Sequence, residues 1–191
     1  VQQLAEREQF EKLKKQLEER LGGSEQLAKL MKNVRFTDTR EGLRIDLVDE
    51  ANFSMFALST DKLVPKAADL LKEVAQVING MPNPVIIRGH TDALPYASGK
   101  TMNNWMLSTS RAEATRRALV MGGINPGQVH RIEGVADKEP YNPADRNDPA
   151  NRRISITLAF TDAAKGEGPV PGARAPGGMP SRPVPAPLPS K

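Results

Sequence analysis

An arginine set on the apolar stripe of a helix constrains this chain more than any other feature. Residues from about Asn103 to Met121 carry Leu107, Ala114, Ala118 and Met121 at helical spacing, and Arg111 falls on the same stripe. A guanidinium in that position is costly unless an acid pairs with it or an anion comes to it. Just upstream, the apolar run Val85-Ile86-Ile87 predicts a strand that stops where Gly89 and His90 begin. Asp92 follows at the strand end and is the nearest acid by this topology. One carboxylate and one guanidinium side by side suit a zwitterion, such as the amino-acid head of a peptide.

The surrounding pattern gives that pair a scaffold. Leu43, Ile45 and Leu47 alternate with Arg44 and Asp46, which predicts a half-buried strand. Pro65 stands where a helix should begin, and Ala67, Leu70, Leu71, Val74, Val77 and Ile78 form its buried face. Gly122-Gly123 ends the Arg111 helix, Val129 to Val135 reads as a strand, and Ile154, Ile156, Leu158 and Phe160 mark the last one. Between them, residues 136–150 form a polar, Pro-bearing loop. Strands alternating with helices predict a two-layer α/β sandwich over 34–161, a mixed sheet with helices on one face.

Two further segments flank this unit. Residues 1–33 read as an amphipathic helix, with Phe10, Leu13, Leu17 and Leu21 in a narrow stripe and Leu27 and Leu30 beyond Gly22-Gly23. The pairs Glu8/Lys12, Glu11/Lys15 and Glu25/Lys29 each add only about 0.2–0.5 kcal/mol. Such a stripe needs a partner, either the body of the domain or a second copy of the chain. Residues 162–191 hold eight Pro and five Gly, a composition that cannot build a core and predicts a disordered or polyproline-like tail.

Composition excludes several classes. The net charge of +4 is spread along the 191 residues with no basic block and no aromatic interleaving, so nucleic acid is not the expected partner. Cysteine is absent, which removes disulfides and thiolate metal sites. No stretch approaches the roughly 20 apolar residues that span a bilayer. The chain starts within a helical pattern at Val1-Gln2-Gln3-Leu4, and a targeting segment is expected upstream.

Other motifs point to structure rather than chemistry. Leu94-Pro95-Tyr96-Ala97-Ser98-Gly99-Lys100-Thr101 ends like a phosphate-binding loop, but Leu94 stands where its first glycine belongs and Pro95 removes an amide donor. His90 and His130 are the only histidines, and a structural role at a strand end is expected for His90 over a zinc site. No nucleophile elbow occurs, so neither catalysis nor a cofactor is expected. Arg152 shares strand parity with Ile154 and Ile156, so it should face the core side in an ion pair near the site, while Arg153 points the other way. Thr91 and Asn104 could supply polar contacts. Asn104 could equally cap the helix, with Ser110–Glu113 as a rival capping box.

Taken together, Gly89-His90-Thr91-Asp92, the Asn104 to Ala112 run, Gly122, Gly134 and Asn151-Arg152-Arg153-Ile154 resemble the signature of OmpA-like peptidoglycan-binding domains. The order and approximate spacing match across about 34–161. The run 89–99, the pair Asn104-Trp105, and the 19 positions between Asp92 and Arg111 are most similar to the flagellar motor stator branch. The resemblance implies a non-enzymatic periplasmic anchor that holds the diaminopimelate head of a peptidoglycan stem peptide. Asp92 would meet the ammonium and Arg111 the carboxylate, with Thr91, Asn104 and Arg152 around them. It further implies a homodimer, and a MotA-type stator subunit engaged through a transmembrane helix upstream. An outer-membrane or lipoprotein anchor with the same domain is the alternative.

Overall fold

The computed structural model describes residues 1–95 and 102–162. The proposed tail beyond Asp162 and most of the phosphate-loop look-alike lie outside the described residues. Among these residues, four α-helices, α1 (Gln2–Gly22), α2 (Glu25–Ala28), α3 (Pro65–Ile78) and α4 (Asn104–Met121), accompany five strands. The strands are β1 (Val34–Asp38), β2 (Gly42–Val48), β3 (Val85–His90), β4 (Val129–Gly134) and β5 (Arg153–Ala159). They form one sheet in the order β1-β2-β5-β3-β4, antiparallel except for β3 and β4. That parallel pair needs a crossover, and α4 supplies it. The mixed α/β sandwich expected from the sequence is therefore the fold observed, with β1 as a strand the pattern had not shown.

The core lies between the sheet and the helices. Leu43, Ile45 and Leu47 of β2 and Ile154, Ile156 and Leu158 of β5 face Leu70, Leu71, Val74 and Ile78 of α3, all fully or almost fully buried. Pro65 occupies the first turn of α3, where its missing N–H costs nothing. The stripe on α1 is spent within the chain: Phe10, Leu13, Leu17 and Leu21 are buried in the same core, with Phe10 stacked at 5.8 Å on Phe160. Arg20 of α1 also pairs with Glu73 of α3 at 2.7 Å. Docking on the body of the domain is thus the outcome of the two that the sequence left open.

A pair of glycines sets the height of α4. Gly89 and Gly134 are register partners on β3 and β4. A Cβ on Gly89 would lie 2.0 Å from the Ser108 carbonyl oxygen, and one on Gly134 2.1 Å from Thr109 Oγ1. The helix backbone therefore rests directly on the strands, and the Ser108 hydroxyl accepts a hydrogen bond from the Ala136 amide at 3.1 Å. Two sequence boundaries shift accordingly. Strand β3 runs through Gly89 and His90 rather than stopping before them, because both still pair with β5. The cap of α4 is Asn103, whose side chain accepts from the Met106 amide at 2.9 Å; Asn104 is its first residue, and Ser110–Glu113 lies inside the helix.

Among the described residues, the opposite face of the sheet carries no helix and is polar. Every strand places one arginine there: Arg35, Arg44, Arg153, Arg88 and Arg131 in sheet order. The loop from Ala136 to Asn151 closes over part of this face. Its Glu139 carbonyl accepts from Arg153 Nη2 at 2.9 Å, and its Tyr141 ring lies beneath both Arg35 and Arg153. Arg153 does point away from the core, as its parity predicts, yet it is only 7% exposed.

Candidate functional site

The end of β3, the first turns of α4 and the segment after β2 enclose a cavity of about 260 Å³. Asp92, Arg111, Thr91, Asn104 and Arg152 all line it, so the structure brings together every site residue nominated from the sequence. Asn104, Leu107 and Arg111 reach it from one face of α4, at the i, i+3, i+7 spacing of a helix. Arg111 is 7% exposed; its Nε donates to the Thr60 carbonyl at 2.8 Å, and its guanidinium sits 4.8 Å from the centre of the Phe56 ring.

Asp92, also 7% exposed, has a partner that the topology did not suggest. Its Oδ2 accepts from Arg152 Nη1 at 2.8 Å, while Oδ1 accepts the Leu94 amide at 3.1 Å. Arg152 precedes β5 and turns its Nε to Asp49 Oδ2 at 3.1 Å, the structural ion pair expected of it. Asp49 in turn accepts the Met55 amide at 2.9 Å. Burial lifts the Asp49 carboxyl above its ordinary value, against the pull of the Met55 amide and the Arg152 and Arg111 guanidiniums. Two carboxylates and two guanidiniums thus share one small, partly apolar chamber. Thr91 turns its hydroxyl to the Asp92 carbonyl at 2.9 Å, and Asn104 donates to the Leu94 carbonyl at 3.0 Å, which holds the loop at the mouth.

Residues 55–154, just over half the chain, match the OmpA family. The chain belongs to that family. Over 154 residues it is 37% identical to Motility protein B of Escherichia coli K12, an alignment that covers 80% of this chain and 50% of that protein. The chain thus spans half the length of that relative. Among solved structures, a putative MotB-like protein from Desulfovibrio vulgaris superposes with a TM-score of 0.68 at 18% identity, covering 83% of this chain and 96% of the other. The periplasmic domain of Helicobacter pylori MotB gives 0.61 at 21% identity, covering 72% and 87%. At these identities the two structures speak for the fold.

OmpA-family proteins of this type are binding proteins rather than enzymes. The matched span supplies α3, β3, α4 and β4, and with them Asp92, Arg111 and Arg152. Asp49 comes from the end of β2, outside that span. Sequence reasoning passed over Asp49, whose only signal was a carboxylate directly after a buried strand. It also passed over Phe56 and Leu58, which lie in irregular chain with no periodicity. His90 sits on the other side of the sheet from Asp92, its Nε2 3.1 Å from Ser155 Oγ. Among the described residues no helix is long and apolar enough to cross a membrane.

Proposed function

We propose that this OmpA-family domain binds the peptide stem of peptidoglycan without chemistry, and anchors a flagellar motor stator to the cell wall from the periplasm. The observation that carries the reading is the cavity that holds Asp92, Asp49, Arg111 and Arg152. It offers charge of both signs within reach of one small zwitterion. The diaminopimelate head has an ammonium for the carboxylates and a carboxylate for Arg111, whose planar fork favours two parallel hydrogen bonds. Arg152 already holds Asp92, so an incoming head exchanges partners with an existing pair rather than meeting a bare charge. That exchange keeps the chamber neutral before and after binding, which limits the desolvation cost.

The stator assignment rests on the similarity to Motility protein B, and brings with it a homodimer and a MotA-type partner. Because Phe10, Leu13, Leu17 and Leu21 are used in the chain's own core, dimer contacts fall elsewhere on the surface. Calorimetric titration with a diaminopimelate-containing stem tripeptide, beside the same peptide carrying lysine, tests the reading. Binding that needs the extra carboxylate and is lost in Arg111→Ala supports it. Equal binding of both peptides, or full retention by Arg111→Ala on isolated cell-wall sacculi, removes the site assignment.

A further inference from the structure

We infer that the outer face of the sheet carries a second binding site, which takes a small carboxylate anion between Arg44 and Arg88. The two arginines flank β5, from β2 and β3 respectively, Arg44 opposite Thr157 and Arg88 opposite Ser155. Their side chains reach over Ser155 to line one cavity of about 260 Å³, floored by Arg153 and His90 and edged by Tyr141. This chamber is separate from the Asp92 cavity and shares none of its lining. Its existence therefore does not depend on the peptidoglycan reading.

The donors are in place and partly unused. Arg44 holds Asp46 through Nε at 2.9 Å, and Arg88 holds Glu133 through Nε at 2.6 Å. Among the described residues, no protein acceptor takes a hydrogen bond from the terminal nitrogens of Arg44. Arg88 offers only a long contact of 3.5 Å from Nη1 to Glu139. Below them, Arg153 is 7% exposed, and its Nε stands 3.6 Å from Asp46, without a hydrogen bond. Around the cavity, Arg44, Arg88 and Arg153 stand against Asp46, Glu133 and Glu139. A planar, singly charged carboxylate asks less of this balanced set than a phosphate dianion would.

The neighbouring histidine registers the three guanidiniums. Burial, then Arg153, Arg88 and Arg44, push His90 down to about 2, so it stays neutral. Burial likewise lowers Arg153, with Arg44 adding to it against the pull of Asp46. A planar carboxylate fits guanidinium forks from two sides, and the cavity has room for a group the size of a sugar acid rather than a large ligand.

The test is a chemical-shift titration of the isotope-labelled chain with galacturonate, with neutral galactose and with inorganic phosphate, at constant ionic strength. Saturable shifts at Ser155, Tyr141 and the Arg44 side chain are expected with galacturonate and not with galactose. Arg44→Gln and Arg88→Gln should each weaken that binding at least tenfold, with Arg44→Lys losing less. The two sites are read separately in the same spectra. Equal shifts from galactose, or unchanged affinity in both glutamine variants, overturns the site. Shifts confined to the Asp92 cavity do the same, and tighter binding of phosphate overturns the assignment to a carboxylate.

Discussion

The two faces of the sheet are built from alternate residues of the same five strands, yet they are held by opposite means. Toward the helices, Leu43, Ile45, Ile154 and Ile156 meet apolar side chains, and burial alone stabilises the contact, by about 1.5–3 kcal/mol per large side chain. Toward the other side, Arg44, Asp46, Arg153 and Ser155 are also buried or half-buried, but under a loop instead of helices. That face coheres only while its charges are matched. Asp46 shows the arrangement at its tightest: fully buried, it takes hydrogen bonds from Arg44 Nε and from the Ser155 hydroxyl, with Arg153 within ion-pair distance. An alternating strand thus does not by itself say which face is wet. It says which face may be closed without charge compensation.

Substitutions can break this contrast. The largest expected effect is Asp46→Ala, which strands the buried Arg153 and should destabilise the fold by about 3–5 kcal/mol in urea titration. The double variant Asp46→Leu/Arg153→Leu should recover much of that loss; a double variant no better than the single one would mean the face is not held by charge matching. On the helical side, Leu17→Ala should cost about 2–5 kcal/mol by the same measurement, and no second substitution of a charge should rescue it. A near-neutral result would show that α1 is not docked.

The third effect is pH-dependent. His90, faced by Arg44, Arg88, Arg153 and Glu139, is held neutral in the fold with its pKa lowered to about 2, whereas the unfolded chain protonates it near the ordinary 6.5. Its contribution to stability is present above pH 6.5 and is lost as pH falls toward 2, by at most about 1.4 kcal/mol per pH unit. Between pH 6.5 and 5, above the ordinary carboxylate range, His90→Gln should flatten the dependence of the urea midpoint on pH. An unchanged slope would remove His90 from the account. The smallest effect belongs to the site's scaffold: Asn103→Ala should cost about 1 kcal/mol through the lost α4 cap, read from the thermal midpoint.

Much of this architecture was legible in the sequence where burial follows a period. Pro65 and the stripe behind it located α3, and the 10, 13, 17, 21 spacing named the buried residues of α1, though not what they pack against. Four of the five nominated cavity residues, Thr91, Asp92, Asn104 and Arg111, share a chamber because a strand end and the next helix converge there by chain order alone. What was not legible depends on contacts distant in sequence. Asp92 pairs with Arg152, and Arg152 with Asp49, across 60 and 103 positions, so no local pattern announces them. Strand β1 is short and half-buried on both sides, which blurred its alternation. The loop that closes the polar face has no period at all, and the burial of Arg153 followed from it rather than from the strand.

Strand β5 joins the two ends of the molecule. Arg152 stands at its start, in the wall of the candidate cavity, and Phe160 follows its last residue, packed beneath Phe10 and Arg7 of α1. Its seven residues span about 24 Å and are paired along their length to β2 on one side and β3 on the other. A pull between a ligand in the cavity and the docked α1 therefore runs parallel to β5. Both ladders would be loaded in shear, all their hydrogen bonds sharing the strain at once, instead of being unzipped one by one from an edge. The middle of the sheet is in this sense a tie-rod, and the domain is stiffest along the line that joins its cavity to its N-terminal helix.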